Sequence, residues 1–315
     1  MYPRLSDLLT DLFGIHSPVP IYSFGFMVAV AILTAGSFVG RELDRMYAAG
    51  LVPGVRETVR KKDALGREKT RETDASPSIL VTTFVGIAAV LGIAGSKLFH
   101  LLENLPEFFA DPARLLFSSG GLTFYGGLIV ATLGIAYYVK KKGLPVPRVA
   151  DAIVPTVLLG YGLGRIGCYL SGDGDWGVCS RLSDKPGWIP ARLWSETFPR
   201  NILERDLLAE CATHGAGFSG VYPTMIYETA MCLVAFAVLW RLRKHRYGAG
   251  WLAGLALVLI GAERFLIELI RVNNVGTVFG IPATQAQVIS VLMVLVGLAV
   301  VVRTMRRRPE ATVAP

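Results

Sequence analysis

The chain has 315 residues, of which 52% are hydrophobic and 18% are charged, and its formal net charge at pH 7 is +8. An average soluble domain carries about 25% charged residues, so this composition excludes an ordinary soluble enzyme and predicts a polytopic membrane protein. The basic runs contain no nucleic-acid-binding motif, so we interpret them as topology signals and expect no nucleic-acid partner.

Seven apolar stretches follow one another along the chain, and most approach the ~20 residues that a helix needs to cross a hydrocarbon core. They are residues 21–40, 79–102, 122–139, 150–170, 223–240, 251–270 and 283–302. We therefore predict an all-α polytopic membrane protein, with seven transmembrane helices and a small periplasmic head, that forms a single membrane-embedded domain over residues 1–315.

Three longer connections separate these stretches. Residues 41–77 are rich in charged residues and Thr with little apolar periodicity, which predicts a solvated, partly mobile cytoplasmic loop. Residues 103–119 are short and amphipathic, and are predicted to lie along the outer interface as an arm. Residues 172–222 combine aromatic residues, prolines and charges, which favours the small periplasmic head, although the aromatics alone are also typical of interfacial anchors.

The basic residues indicate the orientation of the chain. Of the 32 lysines and arginines, 21 lie after the first, third, fifth and seventh stretches. The positive-inside rule then places the N-terminus in the periplasm and the C-terminus in the cytoplasm. A cleaved signal peptide is not expected, because Asp7 and Asp11 precede a long first stretch.

The four cysteines show no C-x-x-C pair and no metal-ligand spacing, so no metal site is expected. The predicted orientation puts Cys179 and Cys211 on the outer side of the membrane, where oxidation is possible. A disulfide between them and two unpaired thiols are equally open alternatives.

Arg165 and Arg264 each lie inside a stretch that otherwise resembles a membrane span. A charged side chain at the centre of a bilayer costs at least ~3 kcal/mol, so such residues usually face a functional interior. The guanidinium fork matches phosphate geometry. Two arginines on different spans therefore predict a buried site for an anionic group, with phosphate as the leading candidate.

The fourth stretch and its exit form a glycine-rich motif around Arg165. Small-residue helix packing explains the glycines inside the stretch, but it explains neither Arg165 nor the two aspartates that follow. Backbone N–H groups in such a turn can approach an anion closely. The candidate binding residues of this motif are Gly164, Gly167, Cys168, Asp173, Asp175 and Gly177.

The sixth stretch places Arg264, Glu268 and Arg271 at i, i+4 and i+7, on one predicted helical face. The alternative interpretation is a satisfied intrahelical ion pair near the interface. Tyr227 and Glu228 are expected about one turn inside the fifth stretch, where apolar residues would be usual.

The third stretch opens with Tyr125 followed by Gly126 and Gly127, preceded by another glycine pair. Paired glycines suggest close backbone approach around Tyr125. The alternative is an interfacial tyrosine of the aromatic belt, which is the better interpretation of this motif by itself.

These motifs, in this order, resemble the prolipoprotein diacylglyceryl transferase family. The resemblance covers most of the chain and rests on residues 21–27, 104–112, 120–127, 164–167 with Gly177, 222–228 and 264–271. It implies a seven-helix bundle with a periplasmic head and lateral openings to lipid, in the bacterial inner membrane. No cofactor is expected, and we expect a monomer.

The resemblance also implies an activity: transfer of diacylglycerol from phosphatidylglycerol to the lipobox cysteine thiol of a preprolipoprotein, with release of glycerol phosphate. Arg165 and Arg264 would hold the phosphate and stabilise charge on the leaving group, and Tyr125 and Glu268 complete the candidate catalytic set. The candidate substrate-binding residues are Gly126, Gly127, Gly164, Gly167, Cys168, Asp173, Asp175, Gly177, Tyr227, Glu228, Arg271 and Phe24.

The chain departs from the family pattern at several positions. Tyr125 stands where the family usually has histidine, Phe24 where it has tyrosine, Cys168 where it has asparagine and Tyr222 where it has histidine. These departures motivate an alternative: a family paralogue that binds or moves phospholipid without transfer chemistry, or that uses a different acceptor. An ion-coupled transporter is disfavoured, because no inverted repeat is visible.

Overall fold

The computed structural model describes residues 2–15, 19–62, 68–117, 123–271, 276–278 and 281–306. The chain divides into two compact units: Met1–Ala35 with Ile153–Glu310, and Gly36–Ala152 with Ala311–Pro315. The described residues are mostly helical. The helices are α1 (Leu5–Phe13), α2 (Ser23–Ala48), α3 (Val81–Glu103), α4 (Leu105–Ala110), α5 (Pro112–Phe117), α6 (Phe124–Lys141), α7 (Val146–Ser171), α8 (Leu207–Ala212), α9 (Thr224–Leu242), α10 (Trp251–Glu268) and α11 (Gln285–Met305).

Five helical segments are long and apolar enough to cross a membrane, and they agree with five of the predicted stretches. They are Ser23–Ala48, Pro77–Glu103, Val146–Ser171, Thr224–Leu242 and Gln285–Met305. Helices α6 and α10 occupy the other two stretches with 18 residues each, but α6 ends in two lysines and α10 carries three charged residues. The protein therefore has the helices of a membrane protein, and the total of seven spans stays a prediction.

The described residues are mostly helical, as predicted, and they also form three two-stranded antiparallel sheets that were not predicted from the sequence. Strand β1 (Val55–Lys62) pairs with β2 (Glu68–Ala75), in a register that sets Arg56 opposite Asp74. This hairpin occupies much of residues 41–77, where a solvated loop is predicted. Cross-strand pairs of opposite charge and β-branched residues support a hairpin even without an apolar core, which hydrophobic periodicity does not detect.

Two further short sheets lie outside that hairpin. Strand β3 (Cys179–Ser180) pairs with β4 (Gly220–Val221), and β5 (Gly276–Val278) pairs with β6 (Ile281–Ala283). The first of these pairs joins the two ends of the segment between α7 and α9.

Glycines bring α3 and α6 into close contact. A Cβ added to Gly126 would lie 2.6 Å from the carbonyl oxygen of Gly95, and one added to Gly127 would lie 2.6 Å from that of Gly92. Small residues allow helix backbones to approach this closely. Helix packing thus explains the Gly126-Gly127 pair, and contact of these glycines with a lipid stays a prediction.

The arm predicted over residues 103–119 contains two short helices, α4 and α5. Phe109 on α4 is 77% exposed, which suits an element that lies against lipid. Residues 118–122 of the arm and of the glycine motif lie outside the described residues.

Residues 172–222 fold around a small core that they share with Cys168 of α7 and Met225 of α9, so the aromatics in this segment are more than interfacial anchors. Trp176, Phe198, Leu207, Cys211 and Val221 are buried together. The disulfide alternative is confirmed: Cys179 and Cys211 are bonded, with their Cα atoms 5.6 Å apart. We refer to residues 172–222 as the head.

We expect the head to depend on this disulfide. Cys179→Ser should lower the free energy of unfolding of the head by about 2–4 kcal/mol, because the crosslink restricts the unfolded chain. Resistance of the head to limited proteolysis, measured with and without reductant, checks this. The control is the Cys179→Ser variant with reductant, in which no further loss is expected. Equal protease resistance of the reduced and oxidised wild-type protein would contradict the prediction.

Candidate functional site

Arg165 lies near the end of α7, and only 11% of its side chain is exposed. Its Nη2 donates a hydrogen bond to the hydroxyl of Tyr161, one helical turn earlier, at 2.7 Å. Its guanidinium also forms ion pairs with Asp175 and Glu228. Three partners therefore fix the position and orientation of a buried guanidinium.

The turn after α7 brings Asp175 back to Arg165. Gly172 and Gly174 adopt positive φ values of 61° and 99°, a backbone conformation that favours glycine. The hydroxyl of Thr224, at the start of α9, donates to the backbone carbonyl of Asp175 at 2.5 Å and fixes the turn. The glycine-rich exit thus positions a carboxylate against the arginine.

Arg271 is the second arginine at this site. Its Nη2 contacts Oδ1 of Asp175 at 2.5 Å, and its Nη1 lies 3.7 Å from Oε1 of Glu228. Asp175 and Glu228 are therefore shared between Arg165 and Arg271. Burial alone would raise the pKa of Asp175, but the two guanidinium groups outweigh burial and hold this pKa below its ordinary value.

The prediction that Arg271 continues the helical face of Arg264 and Glu268 is wrong. Helix α10 ends at Glu268, and Arg271 instead forms a β-bridge with Gly177. The amide of Val178 donates to the carbonyl of Ile270 at 2.9 Å. Backbone hydrogen bonds from the head thus replace those of another helical turn and direct Arg271 toward Asp175.

Gly177 makes this approach of the two backbones possible. A Cβ at this position would lie 2.6 Å from the carbonyl oxygen of Ile270 and 2.9 Å from Cγ2 of Thr224. Only glycine fits such a close contact. The sequence motif placed Gly177 near the site, and the structure gives it a role in packing.

Glu228 is fully buried on α9. Its Oε2 accepts a hydrogen bond from the hydroxyl of Tyr161 at 2.6 Å and is paired with Nε of Arg165. A buried carboxylate is stable only when cations and hydrogen bonds compensate it, and Glu228 has both. The structure therefore gives Glu228 the geometry of an orienting partner of the arginines.

Arg264 and Glu268 form an ion pair at 2.8 Å within α10. From the sequence, such an intrahelical ion pair is the alternative to a binding role for these residues. The Glu268 side chain is only 1% exposed. Among the described residues, Asp175 and Glu228 are the carboxylates that Arg165 and Arg271 share, and Glu268 is the carboxylate paired with Arg264. Glu263 links the two groups electrostatically, because its carboxyl group interacts with both Arg264 and Arg165.

Four other predicted site residues belong to the same compact unit as Arg165: Phe24, Gly164, Gly167 and Tyr227. The Tyr227 hydroxyl donates to the carbonyl of Leu193 in the head at 2.5 Å. A Cβ on Gly167 would lie 3.2 Å from Cα of Phe24, which is 46% exposed, whereas Gly164 faces open space. Gly167 is thus a packing position, and contact of Gly164 with substrate stays a prediction.

Cys168, Asp173 and Asp175 offer three potential metal ligands within 4.8 Å of one another. The carboxylate oxygens of Asp175 are already paired with Arg165 and Arg271. Two guanidinium groups on one ligand disfavour a cation there, so we assign no metal to this cluster.

Tyr125 lies in the first turn of α6, half-buried, in the other compact unit. Its predicted part in catalysis stays a prediction.

Sequence reasoning missed Tyr161 and Thr224 as members of the site. The sequence did contain a signal for Tyr161, because this residue lies four positions before Arg165 and therefore on the same helical face. Thr224 acts through a hydrogen bond to a distant backbone carbonyl, which no local pattern reveals.

These features define a class of protein: an α-helical membrane protein with a mostly buried cluster of paired guanidinium and carboxylate groups. The model of the family described as prolipoprotein diacylglyceryl transferase matches residues 10–303. The chain belongs to the prolipoprotein diacylglyceryl transferase family.

Individual relatives agree with this assignment. The chain is 31% identical over 266 residues to the phosphatidylglycerol–prolipoprotein diacylglyceryl transferase of Vibrio vulnificus (strain YJ016), a match that covers 83% of this chain and 86% of the relative. It is 26% identical over 297 residues to the enzyme of that name from Clostridium tetani, covering 94% and 96%. For the Corynebacterium diphtheriae enzyme the identity is 25% over 260 residues, covering 80% and 86%.

Proposed function

We propose that this protein is a phosphatidylglycerol–prolipoprotein diacylglyceryl transferase. It takes diacylglycerol from phosphatidylglycerol and attaches it to the lipobox cysteine thiol of a preprolipoprotein. The observation that carries the proposal is the buried Arg165, held by Asp175 and Glu228 together with Arg271, in a chain that matches the family over almost its whole length.

The chemistry requires a carbon–oxygen bond of the donor to break and a carbon–sulfur bond to form. The sulfur attacks the glyceryl carbon next to the phosphate oxygen, and glycerol phosphate leaves with the bonding electron pair. Negative charge then grows on the phosphate. Guanidinium groups already fixed in a dry site stabilise that charge without reorganising, which is the largest contribution such residues make to catalysis.

Arg165 and Arg264 are proposed to contact the phosphate, and Arg271 supports Arg165 through the carboxylates that they share. Asp175 is the exchangeable partner, because its side chain is 32% exposed while that of Glu228 is fully buried. A phosphate oxygen could replace the Asp175 carboxylate and accept the same hydrogen bonds.

We propose a location in the bacterial inner membrane, with seven spans and the head on the periplasmic side. The concentration of 21 basic residues in alternate connections supports this orientation. The Cys179–Cys211 disulfide in the head supports it independently, because disulfides persist on the oxidising side of a membrane. The partners are the donor lipid and the lipobox segment, and the protein acts as a monomer.

The thiol of the acceptor must lose its proton, since the thiolate is the nucleophile and a free cysteine has a pKa near ~8.5. Tyr125 is a candidate base, but a phenol with a pKa near ~10 is a poor base at neutral pH. We favour a model in which the thiol proton passes to solvent water, the arginine field itself stabilises the thiolate, and Tyr125 only donates a hydrogen bond to lipid.

Tyr125→Phe separates these two roles. Near-normal turnover is expected, because the phenylalanine retains the ring and loses only the hydroxyl. A loss of about a hundredfold or more would contradict this, since that is the size expected on removing a general base. Tyr125→His is the companion variant, expected to be active because imidazole titrates near neutrality.

The proposed function is tested by mixing purified protein with phosphatidylglycerol and a lipobox peptide. Mass spectrometry should find a thioether-linked diacylglyceryl peptide, and a peptide with serine in place of the lipobox cysteine is the matched control. A folded protein that binds phosphatidylglycerol but forms no such product would support the lipid-binding alternative.

A further inference from the structure

Glu263 is a buried carboxyl group that the proposed transfer chemistry leaves unassigned. It is 6% exposed and lies with Leu252, Ala256 and Ile267 on the most buried stripe of α10. The spacing of these positions is that of an apolar helical face, so a hydrophobic residue would be usual there. Its Oε1 is buried and accepts no hydrogen bond from the described part of the chain.

The other charged groups around Glu263 are already matched. Arg165 and Arg271 are paired with Asp175 and Glu228, and Arg264 is paired with Glu268. Three guanidinium charges therefore face three carboxylates. Glu263 is a fourth carboxyl group for which the described residues provide no salt bridge.

A buried carboxylate without a cationic partner is costly, and protonation removes the cost. An incoming phosphate adds another negative charge to the same region. Asp175 stays in this region when a phosphate accepts its hydrogen bonds, because the hydroxyl of Thr224 tethers its backbone. Binding therefore makes the cluster more negative by one charge than in the free protein, and uptake of a proton by Glu263 offsets that charge in a site of low dielectric.

We infer that Glu263 is the proton-binding residue of the anion site, so that an anionic phospholipid headgroup binds together with one proton. The inference rests on the proposed function in taking phosphatidylglycerol as the ligand. In this role, the charge of Glu263 sets the affinity for the phospholipid headgroup, and Glu263 does not contact the reacting atoms.

Few other groups near Glu263 could produce a pH dependence. Helix α7 contributes Tyr161 and Arg165, α9 contributes Glu228 and Cys232, and Arg264 and Arg271 complete the set with which Glu263 interacts. Helix α11 packs against α10 at Gly261 and contains no titratable residue before Arg303. Of these groups, Cys232 is the other one for which the described residues show no hydrogen bond or ion pair, and it can be replaced conservatively by serine.

The test measures binding of phosphatidylglycerol in mixed micelles by calorimetry across the neutral and alkaline range, with phosphatidylcholine as the zwitterionic control lipid. Wild-type affinity should fall with rising pH by up to about tenfold per pH unit, which is the limit for uptake of one proton. Titrations in two buffers with different heats of ionisation count the protons taken up, and we expect about one.

Glu263→Gln should bind phosphatidylglycerol as tightly as the wild type does at the low end of the range. It should show no pH dependence and take up no proton, because the amide imitates the protonated acid. Glu263→Asp should retain the coupling. Cys232→Ser and Glu210→Gln, which remove a neighbouring thiol and an exposed carboxylate of the head, should behave as wild type.

Three results would overturn the inference: wild-type binding without proton uptake, unchanged pH dependence in Glu263→Gln, or loss of the dependence in Cys232→Ser. The wild-type proton count decides the question even if Glu263→Gln does not fold. Failure of the proposed function is distinguishable, because it appears as absence of thioether product while proton-coupled lipid binding persists. Product formed by a wild-type protein without proton uptake would contradict only the role of Glu263.

Discussion

Replacing Arg165 with alanine is expected to lower the transfer rate by about a hundredfold to a thousandfold, the usual cost of removing one preorganised donor to developing negative charge. The loss has a second source. Without Arg165, the fully buried Glu228 loses its closest cation, and among the described residues it keeps the hydrogen bond from Tyr161 and the more distant cation Arg271 at 3.7 Å. Rates of thioether formation with phosphatidylglycerol and a lipobox peptide measure the effect.

Two further variants make the Arg165 prediction specific. Arg165→Lys keeps the charge but cannot present two parallel N–H groups, so it should also be poor. Arg200→Ala removes an exposed pair with Asp11 in the same unit and should leave transfer unchanged. Full transfer by both Arg165→Ala and Arg264→Ala would refute the proposal that these arginines hold the phosphate.

Glu228→Gln is expected to reduce lipid binding and transfer together. The carboxylate connects Arg165, Arg271 and Tyr161, and an amide cannot accept hydrogen bonds at both positions. Removing one partner of a buried ion pair costs about 3–5 kcal/mol, and misplacement of a positioned group by about 1 Å can cost about a hundredfold in rate. Thermal unfolding, lipid binding and product formation should therefore all change.

Comparing lipid binding with the transfer rate of Glu228→Gln distinguishes a proton-accepting role of Glu228 from an orienting role. If this carboxylate accepted the thiol proton, Glu228→Gln would abolish transfer and leave lipid binding intact. Combined loss of both supports an orienting role. Glu196→Gln, which changes a carboxylate of the head outside the arginine cluster, is the matched control and should alter neither measurement.

Long apolar stretches were predictable because hydrophobicity over about 20 residues is a property of the local sequence alone. All seven predicted stretches correspond to helices, and five satisfy the length and composition of a span. The hairpin of β1 and β2 was missed, since its stability comes from pairing between strands and not from an apolar face.

The importance of Arg165 was predictable for a similar reason. A charge inside an apolar stretch is expensive wherever the chain folds, so its position already indicates a functional interior. The partner of Arg165 was not predictable. The sequence favoured Arg264 as the second arginine of the site, because Arg264 also lies inside an apolar stretch.

The sequence by itself determined the membrane class, the family and the arginines inside apolar stretches, because each depends on local hydrophobicity, charge or motif order. Only the tertiary structure decided which charges meet. Backbone pairing of Gly177 and Val178 with the end of α10 stops that helix at Glu268 and turns Arg271 toward Asp175. That arrangement leaves Glu263 as the carboxyl group without a salt bridge among the described residues, a consequence of long-range contacts that no local pattern encodes.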